Sequence, residues 1–461
     1  MKKCEIDLGK NKLKLSFTYK PVTAFGGFVL LSEFLEKIKF KQAITAAFPV
    51  VEISNNRIPI FEKILALVLI IFAGGERFAH LMYLGNQEAI KKIFNIKRLP
   101  LASTTLTRLF RKIIGWQRAI KLSNNLWNYI SQLIPYQKIK EDWLDFDSSV
   151  VCRYGKQEGA TKGYNSKKKG RPCQNPIMAF MNKSKFIINI WNRSGNSKSS
   201  NNIENFFNET YSRIKDKIKI LGVMADSGFY ELNFILRLEI EKLTYIIRAV
   251  LYPTLKNKIS NIEKKDWKVK GYGIDIAEFK FKHEEWDIER RYIVIRQDVG
   301  IRKNATGKMI PLFEDLDMGE YRYILFITNS SESADVLWET LRKRSGDENT
   351  IKEIKEDFAF EGFSMNKFFA TEAGMMIRVL IYNIFLLFRI EGMDGEEKNN
   401  RLKTLRFKFF VIPSFFGKTG RNHILNLNIH IEAIKNKFKS FIQKIFSYNP
   451  TVILNKSTAL Q

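Results

Sequence analysis

Acidic residues at the ends of apolar runs are the first candidates for chemistry. Met224-Ala225-Asp226-Ser227-Gly228-Phe229 closes the apolar run Ile218–Met224, which reads as a buried strand with a helix after it. An aspartate at the carboxyl edge of a central strand stands where open α/β sheets place their chemistry. Asp-Ser-Gly is equally good turn chemistry. Upstream, Asp142-Trp143-Leu144-Asp145-Phe146-Asp147-Ser148-Ser149 alternates acidic and apolar residues at its centre, so Asp145 and Asp147 share one strand face. A harmless edge strand carries the same pattern. A third acid lies on a predicted helix. Leu341, Arg344, Glu348 and Lys355 fall within about 60° of one another at about 100° per residue, so one face presents Arg, Glu and Lys together. A carboxylate framed by two cations suits a metal-and-phosphate site; a solvated helix with i,i+4 ion pairs is the competing reading. Glu353 and Glu356 lack that frame.

Clustered carboxylates with surrounding cations suit phosphodiester chemistry. Such a reaction needs a water or 3′-hydroxyl activated near neutral pH and a leaving oxygen whose charge is neutralised. Two Mg²⁺ ions about 4 Å apart supply both. Mg²⁺ prefers hard oxygen ligands and keeps several waters, so two or three acids are enough and no His or Cys is required. The three cysteines (Cys4, Cys152, Cys173) and four scattered histidines form no zinc pattern and no paired framework.

The elements that must position these acids follow from periodicity. Strands are predicted at the Asp147 segment, at Pro176–Met181 and at Phe186–Trp191, with a turn at Asn182-Lys183-Ser184. A helix (Asn201–Ile214), the Asp226 strand, a helix (Glu231–Glu241) and a strand (Thr244–Val250) come next. Strand, strand, strand, helix, strand, helix, strand is the order of a ribonuclease-H-like core. In that order the first and fourth strands lie side by side and parallel, which brings Asp147 to Asp226.

Outside this core, residues 1–140 read as mainly helical, with a helix capped by Ser103 or Thr104 that exposes Arg108, Arg111 and Lys112. Its spacing from Gln87–Phe94 suggests a helix–turn–helix. Residues 251–320 read as a lysine-rich β insertion, and 321–390 as the second part of the core, with the Glu348 helix. Residues 391–461 read as an acidic linker, then a basic helical region with a loop at Gly417–Arg421 and a frayed tail beyond Asn449. The polar loop Lys162–Pro172 carries Lys162, Lys167, Lys168, Lys169 and Arg171 and fits a phosphate-contacting arm.

The net charge of +28 favours a polyanionic partner, and its spread along the chain suits a DNA track. The apolar runs Ile64–Ala73 and Met375–Phe388 are too short to span a bilayer, and the second carries Arg378, so both read as buried helices with no membrane partner. No signal peptide is evident, and the sparse cysteines suit a reducing cytosol.

In order and spacing, these motifs resemble the DDE transposases of bacterial insertion sequences, in particular the subgroup with a Tyr-x2-Arg-x3-Glu-x6-Lys signature and, within it, the thirteen-eighty group. Arg344, Glu348 and Lys355 occupy the last three signature positions; Leu341 stands where the Tyr belongs. Asp147-Ser148-Ser149, Gly159-Ala160-Thr161-Lys162-Gly163-Tyr164-Asn165, Asp226-Ser227-Gly228-Phe229 and Gly420-Arg421 extend the resemblance along nearly the whole chain. It implies that Asp147, Asp226 and Glu348 are catalytic metal ligands for Mg²⁺, with Mn²⁺ as an alternative, and that Arg344 and Lys355 contact DNA beside the scissile phosphate. Asp145 is a competing first ligand. The expected activity is cut-and-paste transposition: binding of the element's inverted ends, strand cleavage and transfer into target DNA. Double-stranded DNA is the expected partner of Lys162, Lys167, Lys168, Lys169, Arg171, Arg108, Arg111 and Arg421, and pairing two ends requires a dimer in the synaptic complex. A ribonuclease-H-like nuclease and an inactive transposase-derived DNA-binding protein are the alternatives.

Overall fold

The computed structural model describes residues 6–7, 14–15, 17, 20–85, 87–163, 165, 168–271, 273–298, 317–318, 321–362 and 365–454, with 6–7, 14, 317–318 and 343–348 described by their backbone alone. The chain divides into two compact units. One comprises Met1–Leu133, Glu356–Phe363 and Leu380–Gln461; the other comprises Ile134–Lys355 and Ser364–Val379.

The first unit begins with short strands β1 (Ile6–Asp7), β2 (Lys14–Leu15) and β3 (Val22–Thr23). Helices follow: α1 (Phe28–Lys37), α2 (Phe40–Ala47), α3 (Ile60–Ala73), α4 (Leu81–Gly85), α5 (Glu88–Ile93), α6 (Ser103–Arg111) and α7 (Trp116–Leu133). α3 is apolar nearly all round and accordingly buried from Ile64 to Phe72; Gly74 ends it at φ 92°, a conformation that favours glycine. α6 buries Leu106, Leu109 and Phe110 and leaves Arg108 and Arg111 exposed. Its N-cap is Ala102 rather than Ser103 or Thr104, and no side chain caps it, since both residues already lie within the helix. Nine residues, 94–102, separate α5 from α6, whereas a helix–turn–helix joins its helices by about 3–4; the expected motif is not formed.

The second unit holds α8 (Tyr136–Ile139), β4 (Glu141–Ser148), β5 (Val151–Cys152), β6 (Thr161–Lys162), β7 (Pro172–Gln174), β8 (Ile177–Met181), β9 (Ile187–Trp191), α9 (Ile203–Ile214), β10 (Lys219–Ala225), α10 (Leu232–Ile240) and β11 (Thr244–Arg248). It continues with α11 (Pro253–Ser260), β12 (Lys268–Gly271), β13 (Ile274–Phe281), β14 (Arg290–Asp298), β15 (Asp317–Met318), β16 (Tyr321–Thr328) and α12 (Ala334–Asp357). One large mixed sheet runs β12-β13-β14-β16-β11-β10-β4-β8-β9, with β15 beside β16. β10 is parallel to both β4 and β11, as the sequence order predicts for the Asp147 and Asp226 strands. The described strands of 251–320 fold back on one another, β12 against β13 and β13 against β14, without forming a separate sheet. They prolong the same sheet, because β14 pairs along its length with β16, which pairs with β11.

The two faces of this sheet are covered differently. Phe146 meets Phe206 and Phe207 of α9 and Phe234 of α10, with ring centroids 5.8, 6.2 and 5.9 Å apart. Met224, Ile246, Ile293, Ile295, Ile324 and Phe326 form a buried cluster with Leu337, Trp338 and Leu341 of α12. The small sheet β5-β7-β6 frames the basic stretch at its two ends, where Lys162 pairs with Pro172.

Helix α13 (Phe368–Gly392) is long and apolar enough by composition to cross a membrane, yet almost all of its apolar window is buried inside the protein, Arg378 included. After it come α14 (Leu402–Leu405), β17 (Ser414–Thr419), β18 (Asn422–Leu427) and α15 (Glu432–Ser447), all in the first unit. The predicted loop at Gly417–Arg421 is part of the β17–β18 hairpin; Gly420, at φ 59°, and Arg421 form its tip. The predicted acidic linker is docked instead. Glu397 is 4% exposed and accepts from Lys437 at 2.7 Å, while Asp394 pairs with Lys444 and Ser440 of α15. These charge-assisted bonds lower the pKa of both acids, chiefly through Lys444 for Asp394 and Lys437 for Glu397. The tail is held as far as 453: Lys39 donates to the Val452 carbonyl and Gln132 accepts from the Ile453 amide.

Candidate active site

The parallel register of β4 and β10 decides how the acids meet. Met224 is opposite Asp145, and Ala225 is opposite Phe146. Asp147 and Asp226 each follow by one residue, on strands that in general lie about 4.8 Å apart. Met224 packs against α12, so the period-two pleat turns Asp145, Asp147 and Asp226 toward the same face. Phe146, between the two β4 aspartates, points the other way into the α9–α10 aromatics.

The three β4 aspartates then separate by environment. Asp142 is buried and accepts from the amides of Trp143, Lys183 and Ser184 at 2.8, 2.8 and 3.0 Å, closing the β8–β9 turn. Asp145 is 0% exposed in mid-strand. Asp147 is half-buried at the strand's end, with the Ser148 amide donating to its Oδ1 at 2.6 Å. Asp226 sits at the N-cap of the short 3-10 turn Ser227–Phe229, whose side-chain cap position it leaves unused; its side chain is 48% exposed. The turn is made by backbone, from the Phe229 amide to the Asp226 carbonyl at 3.0 Å, so the carboxylate is not consumed by it.

A cation completes the row. Arg248 ends β11 two residues beyond Ile246, the partner of Met224, and its Nη1 lies 3.8 Å from Asp226 Oδ1. Sequence reading passed over Arg248, although counting two residues from a core isoleucine at the end of an apolar run would have found it. It also passed over the link between the two aspartate turns. Ser199 Oγ is 2.9 Å from Ser148 Oγ, and a Cβ at Gly228 would meet Ser199 Oγ at 2.6 Å. The buried Arg193 guanidinium holds the Ser199 loop, donating to the carbonyls of Asn175, Lys198 and Ser199 at 3.0 Å each. Burial lowers its pKa to about 10, which still leaves it charged near neutral pH.

α12 runs along the same face. Leu341 is 1% exposed within the core cluster, so the position expected to carry a Tyr is a packing position here. Four helical turns on, Lys355 Nζ donates to the Val150 carbonyl at 2.9 Å, beside the end of β4. Positions 344 and 348 lie between them at the same helical phase; the side chains of Arg344 and Glu348 are outside the described residues. Of the rivals, Glu353 is buried and Glu356 pairs with Arg401 at 2.9 Å. Among the described residues no group of three His, Cys, Asp or Glu is placed to hold a metal.

The basic candidates form several surfaces. Lys162, Lys168, Lys169 and Arg171 are exposed on the small sheet and its turn, and Lys167 is outside the described residues. Arg171 stacks over the exposed Tyr154 ring at 4.7 Å, and Lys168 bonds the Tyr154 hydroxyl. Close packing fixes this sheet: a Cβ on Gly163 would meet the Gly195 carbonyl at 1.8 Å. Arg108, Arg111 and Arg421 are exposed on the other unit.

The family description Transposase DDE domain group 1 matches residues 7–449. The chain belongs to that family. No curated protein matches this DDE transposase. A solved piggyBac transposase synaptic complex with hairpin DNA is similar over 85% of this chain and 83% of that one, with 12% identity and a TM-score of 0.43. In this transposase the donor set at the sheet edge is two carboxylates with cations beside them, which fits a hard divalent ion and offers nothing to a thiophilic one.

Proposed function

We propose that this transposase cuts DNA at the inverted ends of its own element and joins those ends to target DNA, with Asp147, Asp226 and Glu348 as the catalytic acids. The observation that carries this reading is the β4–β10 register, which turns Asp147 and Asp226 side by side toward α12. The strand order β9-β8-β4-β10-β11, with β4, β10 and β11 parallel, supports a ribonuclease-H-like core prolonged by β16 and β12–β14. The Arg344–Glu348–Lys355 spacing and the motif order support membership of the thirteen-eighty group of insertion sequences.

Asp147, Asp226 and Glu348 would hold Mg²⁺ or Mn²⁺, which activates a hydroxyl nucleophile and neutralises the leaving oxygen. Asp145 is a poorer ligand than Asp147, since its burial in mid-strand keeps DNA away. Arg193 and Ser199 orient the two turns that bear the aspartates. Arg248 restrains the Asp226 carboxylate. Lys355, anchored on the Val150 carbonyl, and Arg344 offer positive charge to the phosphates that flank the cut. The exposed Lys162, Lys168, Lys169 and Arg171 grip the duplex backbone, as do Arg108, Arg111 and Arg421. Two protomers act together because two ends must be paired, and the protein works on the bacterial chromosome.

Strand cleavage with a labelled end fragment in Mg²⁺ tests the assignment. Asp147→Ala, Asp226→Ala and Glu348→Ala should each cost at least about 10²-fold, since losing a metal ligand forfeits several kcal/mol of transition-state stabilisation. DNA binding by gel shift should persist. Near-full cleavage by any variant removes that residue from the set. A pre-cleaved end offered with target DNA separates a transposase from a nuclease: only the former yields joined product.

A further inference from the structure

The small sheet beside β4 holds a second chemical site. Cys152 of β5 lies directly opposite Cys173 of β7 in an antiparallel pair, and both are free thiols. The hydrogen bonds on either side define the kind of pair. The Ser149 amide donates to the Pro176 carbonyl at 3.0 Å and the Arg153 amide to the Pro172 carbonyl at 2.9 Å. Alternate pairs along this ladder are hydrogen-bonded, so 152–173 is the non-hydrogen-bonded kind. In such pairs the Cα atoms approach to about 4.5 Å and the side chains lie closest. That separation falls inside the disulfide range of about 4.4–6.8 Å.

We propose that Cys152 and Cys173 form a dithiol site that small-molecule disulfides of the glutathione class oxidise to a cross-strand disulfide. Accessibility sets the order of events. Cys173 is fully buried, with its Sγ near the Thr161 and Gly195 carbonyls, whereas Cys152 is half-buried and accepts from Asn165 Nδ2 at 3.2 Å. The Cys152 thiolate attacks one sulfur of the reagent, the reagent's S–S bond breaks, and one small thiolate leaves and is protonated by solvent. Cys173 then gives its proton to water and attacks the Cys152 sulfur, expelling the second small thiol. Two protein thiols and one disulfide become one protein disulfide and two small thiols. Burial, then the neighbouring Cys152, raise the Cys173 pKa, which makes the closing step the slower one. The bond ties together the two ends of the 153–172 stretch and so brackets the basic turn that carries Lys168, Lys169 and Arg171. This inference goes beyond the proposed reaction and does not depend on it.

The test treats the folded, reduced full-length chain with oxidised glutathione, blocks residual thiols, and maps tryptic peptides without reduction. Expected are a linked peptide pair joining Cys152 to Cys173, loss of two of three thiols per chain, and full recovery with dithiothreitol. Cys173→Ser should stop at a glutathione adduct on Cys152, and Cys152→Ser should leave Cys173 unmodified. A wild-type chain that stops at the Cys152 adduct, that links through Cys4, or that oxidises only after unfolding in urea overturns the proposal.

Discussion

Asp142 and Asp147 show how position on one strand divides acids between scaffold and chemistry. Asp142 accepts three backbone amides and is buried; Asp147 accepts the Ser148 amide at an accessible strand end. Asp142→Ala leaves those buried donors without their acceptor and should lower unfolding free energy by about 1–3 kcal/mol, read from urea titration. Metal-dependent cleavage by the folded fraction should remain close to wild type. A stable Asp142→Ala that cannot cleave would place the residue in the chemistry instead. Sequence pattern alone leaves these acids equivalent, since alternation assigns a face and says nothing of what covers it. The same limit hid Arg248, whose pairing with Asp226 depends on the register of two strands that are separated in sequence.

At the scale of elements, the sheet edge depends on a loop that carries no acid. Ser199 touches the Asp147 turn through Ser148 and the Asp226 turn through Gly228. Gly228→Ala would bring its Cβ to 2.6 Å from Ser199 Oγ and 2.7 Å from Ser199 Cβ, so either the Asp226 turn or the Ser199 loop that reaches Ser148 must shift. A displacement near 1 Å at reacting groups costs about 10²-fold in rate. Gly228→Ala should therefore lose cleavage to about that extent while melting normally, and the double variant with Ser199→Gly should regain most of it. No recovery would dissociate Ser199 from the aspartates. Glu372, in the first turns of α13, bears on the other side of the Arg193 loop by accepting the Asn192 amide at 3.2 Å. Burial, with a smaller push from Glu209, raises its pKa from 4.5 to about 8. The folded chain then binds more protons than the unfolded chain between those two values, so stability falls as pH rises across that window and is fully reduced above it. The full effect is at most roughly 5 kcal/mol. Glu372→Gln should flatten the pH dependence of stability between pH 5 and 8, measured by urea titration at each pH; an unchanged slope would assign it to another group.

Much of the second unit's order was legible because strand and helix periods alternate cleanly from Asp142 to Val250, and one adjacency, β4 with β10, follows from that order. The rest depended on partners that pattern does not name. Alternating runs at 274–281 and 290–298 announce strands without saying that they prolong an existing sheet. The acidic 391–400 stretch looks solvated until α15 supplies Lys437 and Lys444. Charge of this kind is a property of the whole molecule, and the net +28 remains after such pairs are formed. If that excess serves DNA, binding must release counterions, and log K must fall linearly with log salt at about −0.9 per phosphate neutralised. Lys168 and Arg171 flank Tyr154 on an exposed turn, so each is a candidate for one phosphate. The Lys168→Ala/Arg171→Ala pair should reduce the slope by about 2, measured by fluorescence anisotropy on an end duplex between low and moderate salt. The wild-type affinity should fall alike on end and unrelated sequences, because phosphate contacts carry no base information. An unchanged slope with weakened binding would mean that these residues read bases or shape the turn, and that the electrostatic grip lies elsewhere on the chain.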